Sequence, residues 1–233
     1  MSRQRNADKL RRDIERAASR FEEAASELKR LDAGTLSAEA WLNARARMGQ
    51  LIAGFREAAS DVDRTFGQTS AHARLTRYLQ LHVGEPVGND ELSGVAGTLE
   101  WARRLRELRE DMGWVIHSNV TRDDLRPGEY VLVVDHPQPE VARIWAAAKE
   151  KKALRGLGGP ATTSVRLLEF LKAIYPLPAD REQMAHVTGS SDATATAVEI
   201  LQSQGWDIGT CPASHALAPG GHYLLTDPRP PNA

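Results

Sequence analysis

The chain has 233 residues, 41% of them hydrophobic, and its 30 basic and 31 acidic groups leave a formal charge of -1, a length that can bury more than one core. The apolar runs are only a handful of residues long and the opening MSRQRNADKLRR has no apolar stretch behind its charges, so neither a membrane span nor a signal peptide is expected and the protein is read as cytoplasmic. The single cysteine, Cys211, excludes an intrachain disulfide and a zinc site of the CxxC kind.

From Leu10 the apolar positions run Leu10, Ile14, Ala17, Phe21, Ala24, Leu28 and Leu31, alternating steps of four and three as in a coiled-coil seam. Asp32, Ala33 and Gly34 close this helix, Ser37 caps the next, and a second series follows at Trp41, Ala44, Met48, Leu51, Phe55, Ala58 and Val62. The two form a helical hairpin. Its seams are too long for one hairpin to bury, so pairing with a second copy as a four-helix assembly is expected, against packing on the chain's own C-terminal domains.

The C-terminal part repeats itself at an offset of 92: residues 73 to 116 match 165 to 208 at ten of 44 positions without a gap, among them Gly97 with Gly189, Gly113 with Gly205 and Trp114 with Trp206. PGEYVLVVD at 127–135 pairs with PGGHYLLTD at 219–227. In the first copy a helix over 72–83 precedes an extended piece at Pro86 and Val87. A short helix capped by Asn89 or Asp90 follows, then a turn at Gly97 and a long helix capped by Thr98 and running to Met112. Trp114 to Ser118 and Tyr130 to Asp135 alternate as the strands of a hairpin. Helix, helix, turn, helix and a two-stranded wing is the winged helix-turn-helix order. Between the copies, PQPEVARIWAAAKEKKALRG reads as a charged connecting helix and GLGGPATT, at 156–163, as a flexible hinge. GLGG lacks the lysine and the preceding strand of a phosphate loop.

Charge is unevenly placed along this order. Residues 1–71 sum to +2, 72–135 to -3, 136–160 to +3 and 161–233 to -3, yet four of the eight basic groups in the second segment are Arg103, Arg104, Arg106 and Arg109. At 100° per residue Trp101, Leu105, Leu108 and Met112 form a core stripe, and Leu99, Arg103, Arg106, Glu107 and Glu110 face outward. Arginines on the outward face of the helix after the turn are placed to address guanine edges or phosphates. Arg122 and Arg126 in the wing are placed for backbone phosphate. The competing reading pairs these arginines with Glu107, Glu110 and neighbouring acids on a solvated helix. The DNA-binding candidates of the first copy are thus Thr98, Leu99, Arg103, Arg104, Arg106, Arg122 and Arg126.

The equivalent helix of the second copy, SSDATATAVEILQ, has no basic residue. It is either an interaction surface or a groove reader whose Thr194, Ala195 and Thr196 pack on base methyl groups, with Ser191 as a further DNA-binding candidate. Catalysis finds little support. The seven histidines have no HExxH or other ligand spacing, and Asp135 with Glu150 and Lys152 only loosely imitates a metal-dependent nuclease pattern. The chain is read as a non-enzyme without metal or cofactor.

The segment DELSGVAGTLEWARRLRELREDMGWVIHSN, followed by LRPGEYVL, resembles the winged-helix modules fused to bacterial HNH-type and modification-dependent restriction nucleases. It covers residues 72–135 well, the second copy weakly and the N-terminal helices not at all. No nuclease motif accompanies it, so the resemblance implies the DNA-binding part alone. The overall arrangement is also similar to actinobacterial 5-methylcytosine-binding proteins, which implies methylated DNA as the ligand.

The expected fold is mainly α, with α+β in the wings: a dimerising helical hairpin over 1–68, winged helix-turn-helix modules over 69–137 and 164–233, and a connecting helix and linker over 138–163. The expected function is non-catalytic binding of double-stranded DNA by a nucleoid-associated homodimer. The alternatives are a protein–protein adaptor built on tandem winged helices and a sequence-specific transcription regulator.

Overall fold

A computed structural model of the chain describes residues 2–153, 160–211 and 222–228. The fold is mainly helical and separates into two compact units, residues 1–74 and 75–233.

The first unit is a hairpin of two helices of 28 residues each, α1 (Ser2–Lys29) and α2 (Ala38–Thr65). Asp32 shapes the turn by accepting from the Gly34 amide at 3.0 Å, and Ser37 caps α2 by accepting from the Ala40 amide at 3.1 Å. The heptad seam is only half used. Ala17, Ala44 and Ala58 are buried between the helices, whereas Ile14, Phe21 and Leu28 are exposed by 51%, 66% and 45%. Phe21 and Phe55 meet edge-to-face, with ring centroids 6.0 Å apart. Arg16 ties the helices together, donating to Asp61 at 3.0 Å and to the buried Asp13 at 2.5 Å.

The second unit begins within α3 (Ala71–Leu81), and here the offset of 92 places element on element. α3, β1 (Val87–Gly88), α4 (Asn89–Ala96), α5 (Trp101–Glu110), β2 (Ile116–Ser118) and β3 (Glu129–Leu132) make the first copy. After α6 (Pro139–Lys152), the second copy consists of α7 (Pro160–Ile174), α8 (Arg181–Thr188), α9 (Ser191–Ser203), β4 (Ile208–Cys211) and β5 (His222–Leu225). Gly97 and Gly189 both close their short helices in the left-handed region, at φ 65° and 118°, where a Cβ is disfavoured. In the first copy the strands form an antiparallel sheet ordered β1-β3-β2, with Ile116 opposite Leu132 and Val87 opposite Tyr130. β4 pairs antiparallel with β5, Ile208 opposite Leu225. The cap of α4 is Gly88 rather than Asn89 or Asp90, because Glu91 reaches back to the Gly88 amide at 2.8 Å and fixes the start there.

The connecting segment is helical as expected, but it is no exposed spacer. Val141, Ile144, Trp145 and Ala148 of α6 are buried in one hydrophobic core with Phe170, Leu171, Ile174, Met184 and Leu201 of the second copy and Val115 of the first. The charged residues of α6 lie on its other side and masked an inward stripe at helical spacing. Of the expected hinge, residues 160–163 open α7 and residues 156–159 lie outside the described residues.

Candidate nucleic-acid interface

α5 is held by its apolar stripe. Leu105 and Leu108 are buried against the first copy's core, and Trp101 packs edge-to-face on Tyr130 of β3 at 5.9 Å. The outward face carries Leu99, exposed by 79%, then Ala102, Arg103 and Arg106, all exposed. Three expectations about this helix change. Met112 is 50% exposed rather than core, because the helix ends at Glu110 and the stripe has no turn left to carry it. Glu110 is buried rather than outward, since Lys149 of α6 covers it at 3.0 Å. Thr98 does not cap the helix. A turn intervenes, Glu100 takes the N-cap position, and the Thr98 hydroxyl accepts from the Glu100 amide at 3.3 Å.

Each candidate arginine has a carboxylate beside it. Arg103 reaches Glu107 at 3.0 Å and Glu100 at 3.6 Å, Arg104 reaches Glu107 at 2.8 Å, and Arg106 stands 3.9 Å from Glu110. In the loop between β2 and β3 Arg122 pairs with Asp124, and Arg126 donates to Glu129 at 2.7 Å. Hydrogen bonding from these arginines holds the Asp124 and Glu129 carboxyls below their ordinary range. The paired reading therefore describes the free protein. It does not oppose the binding reading, because water-exposed ion pairs are weak and exchange readily for another anion. Arg103 and Arg106, each with 64% of its side chain exposed, are the most available of the α5 set.

In the second copy Ser190 caps α9, accepting from the Ala193 amide at 3.1 Å. Ser191, Ala195 and Thr196 are exposed. Thr194 is buried, its hydroxyl 2.6 Å from that of Thr188 and donating to the Ser190 carbonyl at 3.0 Å, so burial removes it from the candidate surface. The spacing Thr194, Ala197, Val198, Leu201, all buried, was the signal for an inward position.

The sequence reading missed the joint that fixes α5. Arg109 is buried, pairs with Glu182 of α8 at 2.6 Å and lies over the Trp145 ring at 5.6 Å. Asp123 in the loop between β2 and β3 accepts from Arg181 at 2.8 Å, and Lys149 reaches Asp111 at 2.7 Å. Both surface elements of the first copy, α5 and the β2–β3 loop, are thus tied to the second copy. Asp180, buried beside this joint, caps α8 by accepting from the Gln183 amide at 2.7 Å. Burial pushes its carboxyl up to about 6 against the opposing pull of that amide. Among the described residues no cluster of His, Cys, Asp and Glu is arranged to hold a metal ion, and no helix is long and apolar enough to cross a membrane.

Residues 72–133 match the family model of the KpnI N-terminal domain, a domain related to restriction enzymes. No curated protein and no solved structure matches the chain.

Proposed function

We propose that the chain binds double-stranded DNA without cutting it, using the first copy as a winged helix with α5 in or beside the major groove. The observation that carries this reading is the outward face of α5, where Arg103 and Arg106, with Leu99 in the turn just before them, stand in solvent on a helix whose other side is locked in a core. Arginine forks address guanine edges and phosphates, and an exposed apolar side chain beside them fits the methyl group of a pyrimidine. The match of residues 72–133 to a restriction-enzyme-related domain supports a DNA ligand for this segment. Arg122 and Arg126 supply backbone phosphate contacts from the wing.

In this reading 5-methylcytosine duplexes are the preferred ligand, two chains act together through their N-terminal helices, and the protein resides with the nucleoid. The second copy, whose α9 has no cation among Ser191–Ser203, serves as support for the first. The test is a gel-shift titration of one duplex at two salt concentrations, with wild type and with Arg103→Ala combined with Arg106→Ala. Binding that weakens with salt, and a double variant with weaker binding and a shallower salt slope, are expected. Binding indifferent to salt and to both substitutions would sink the reading.

A further inference from the structure

The hairpin gives the proposed pairing of chains a geometry, one that rests on that pairing but not on the DNA reading. A unit of about seventy residues ordinarily struggles to stabilise itself with one core. Among the described residues of the two helices the buried apolar side chains are Ala17, Ala44 and Ala58, which is too little.

The heptads show where the missing burial lies. On α1 the positions Leu10, Ala17 and Ala24 are buried or half-buried, as is Leu31 just past its end, and the alternate set Ile14, Phe21 and Leu28 is exposed. On α2 Ala44 and Ala58 are buried and Leu51 half-buried, whereas of the alternate set Trp41 and Phe55 stay 39% and 36% exposed and Met48 and Val62 are half-buried. A helix that gives one heptad position to its hairpin partner and leaves the next uncovered is built for two neighbours, as in a four-helix bundle. The other side of the hairpin is a charged groove lined by residues such as Ser19, Arg20, Glu23, Glu27 and Arg47.

Size and charge select a second copy as the occupant. Helices of 28 residues run about 42 Å, and a strip about 10 Å wide on each offers roughly 800 Å², the share each partner gives to a standard interface. Residues 2–16 carry six basic and three acidic groups, and residues 17–29 carry two basic and three acidic. Two α1 helices laid antiparallel therefore bring a positive half against a negative half. We propose that the hairpin pairs with a second copy of itself into an antiparallel four-helix bundle, with Phe21 and Phe55 of both chains gathered at the two-fold axis and Ile14 opposite Leu28 of the other chain.

The test uses the full chain with Cys211→Ser and a single new thiol at Phe21→Cys or, on the grooved side, at Ser19→Cys. Light scattering of the Cys211→Ser chain should give twice the chain mass. Mild oxidation should link Phe21→Cys into a covalent dimer while Ser19→Cys stays unlinked. A monomeric chain, or a Ser19→Cys variant that links as fast as Phe21→Cys, overturns the proposal. A monomer that still shifts duplex DNA would remove the pairing and keep the DNA reading; a linked dimer that binds no duplex would do the reverse.

Discussion

Arg109 on α5 and Glu182 on α8 meet at 2.6 Å across the joint between the two copies, with the Arg109 side chain 10% exposed and that of Glu182 33% exposed. This asymmetry decides which partner matters more. Removing Glu182 leaves a guanidinium buried over Trp145 with its main counter-charge gone, whereas removing the Arg109 charge leaves a carboxylate that water already reaches. Glu182→Ala should therefore cost about 2–3 kcal/mol, below the usual range for a fully buried pair, and Arg109→Met, which keeps the stem packed on the indole, should cost about half of that. Urea unfolding of the two variants checks the order, and a larger loss in Arg109→Met would contradict the account.

Asp180 makes stability depend on pH in a window of its own. Burial raises its carboxyl from 3.8 to about 6 in the folded chain. Between about pH 4 and 6 the native state holds a proton that the unfolded state has released. The contribution of this group is therefore fully present below about pH 4 and lost as pH rises through 6. Asp180→Asn keeps the oxygen that accepts from the Gln183 amide and removes the titration. The wild-type chain should gain stability relative to this variant on acidification from pH 7 to 4.5, by on the order of 2 kcal/mol. Parallel denaturation curves at pH 7, 6 and 4.5 measure it, and a constant difference would assign the raised titration to another group.

Gly113 links the first copy to α6 by close approach. It sits at φ +76°, and a Cβ there would lie 2.4 Å from the Gln138 carbonyl oxygen, the start of α6. Backbone strain and a clash with main chain act together, so Gly113→Ala should cost roughly 2–4 kcal/mol. The readout is a thermal melt. For a chain of this size the loss corresponds to a fall of at least about 4 °C, and an unchanged melt would mean that α6 moves away freely.

The repeat was the most legible feature of the sequence, because Gly97 with Gly189 and Gly113 with Gly205 mark backbone positions that few other residues can occupy, all four with positive φ. What stayed hidden involves contacts between segments. The burial of α6 was written in the spacing of Val141, Ile144, Trp145 and Ala148, but lysines at its end drew attention to its solvent side. Arg109 was legible only as one member of a basic cluster, since nothing local shows that Glu182, 73 residues later, stands opposite. The core stripe of α5 failed at Met112 because periodicity is defined only inside a helix, and this one stops at Glu110. Arg103 and Arg106 stand exposed on α5 as expected, whereas Arg104 is half-buried, and each has a carboxylate beside it as in the competing reading.

Leu99 offers the sharpest test of what the first copy reads. It is 79% exposed at the turn before α5, an environment in which a leucine has no structural partner to satisfy, and Arg103 follows four residues later. If α5 enters the major groove, this side chain sits where a pyrimidine methyl group would be in contact, next to an arginine suited to guanine. The expected result is tighter binding of a duplex carrying 5-methylcytosine than of the same duplex unmodified or carrying N6-methyladenine. Leu99→Ser should erase that preference, roughly three- to tenfold for one apolar contact near the lower end of base discrimination, while the salt slope stays as in wild type because no phosphate contact is lost. Ser191→Ala with Thr196→Val on α9 should leave both quantities unchanged. Loss of the methyl preference in the α9 variant, with Leu99→Ser behaving as wild type, would move the reading surface to the second copy.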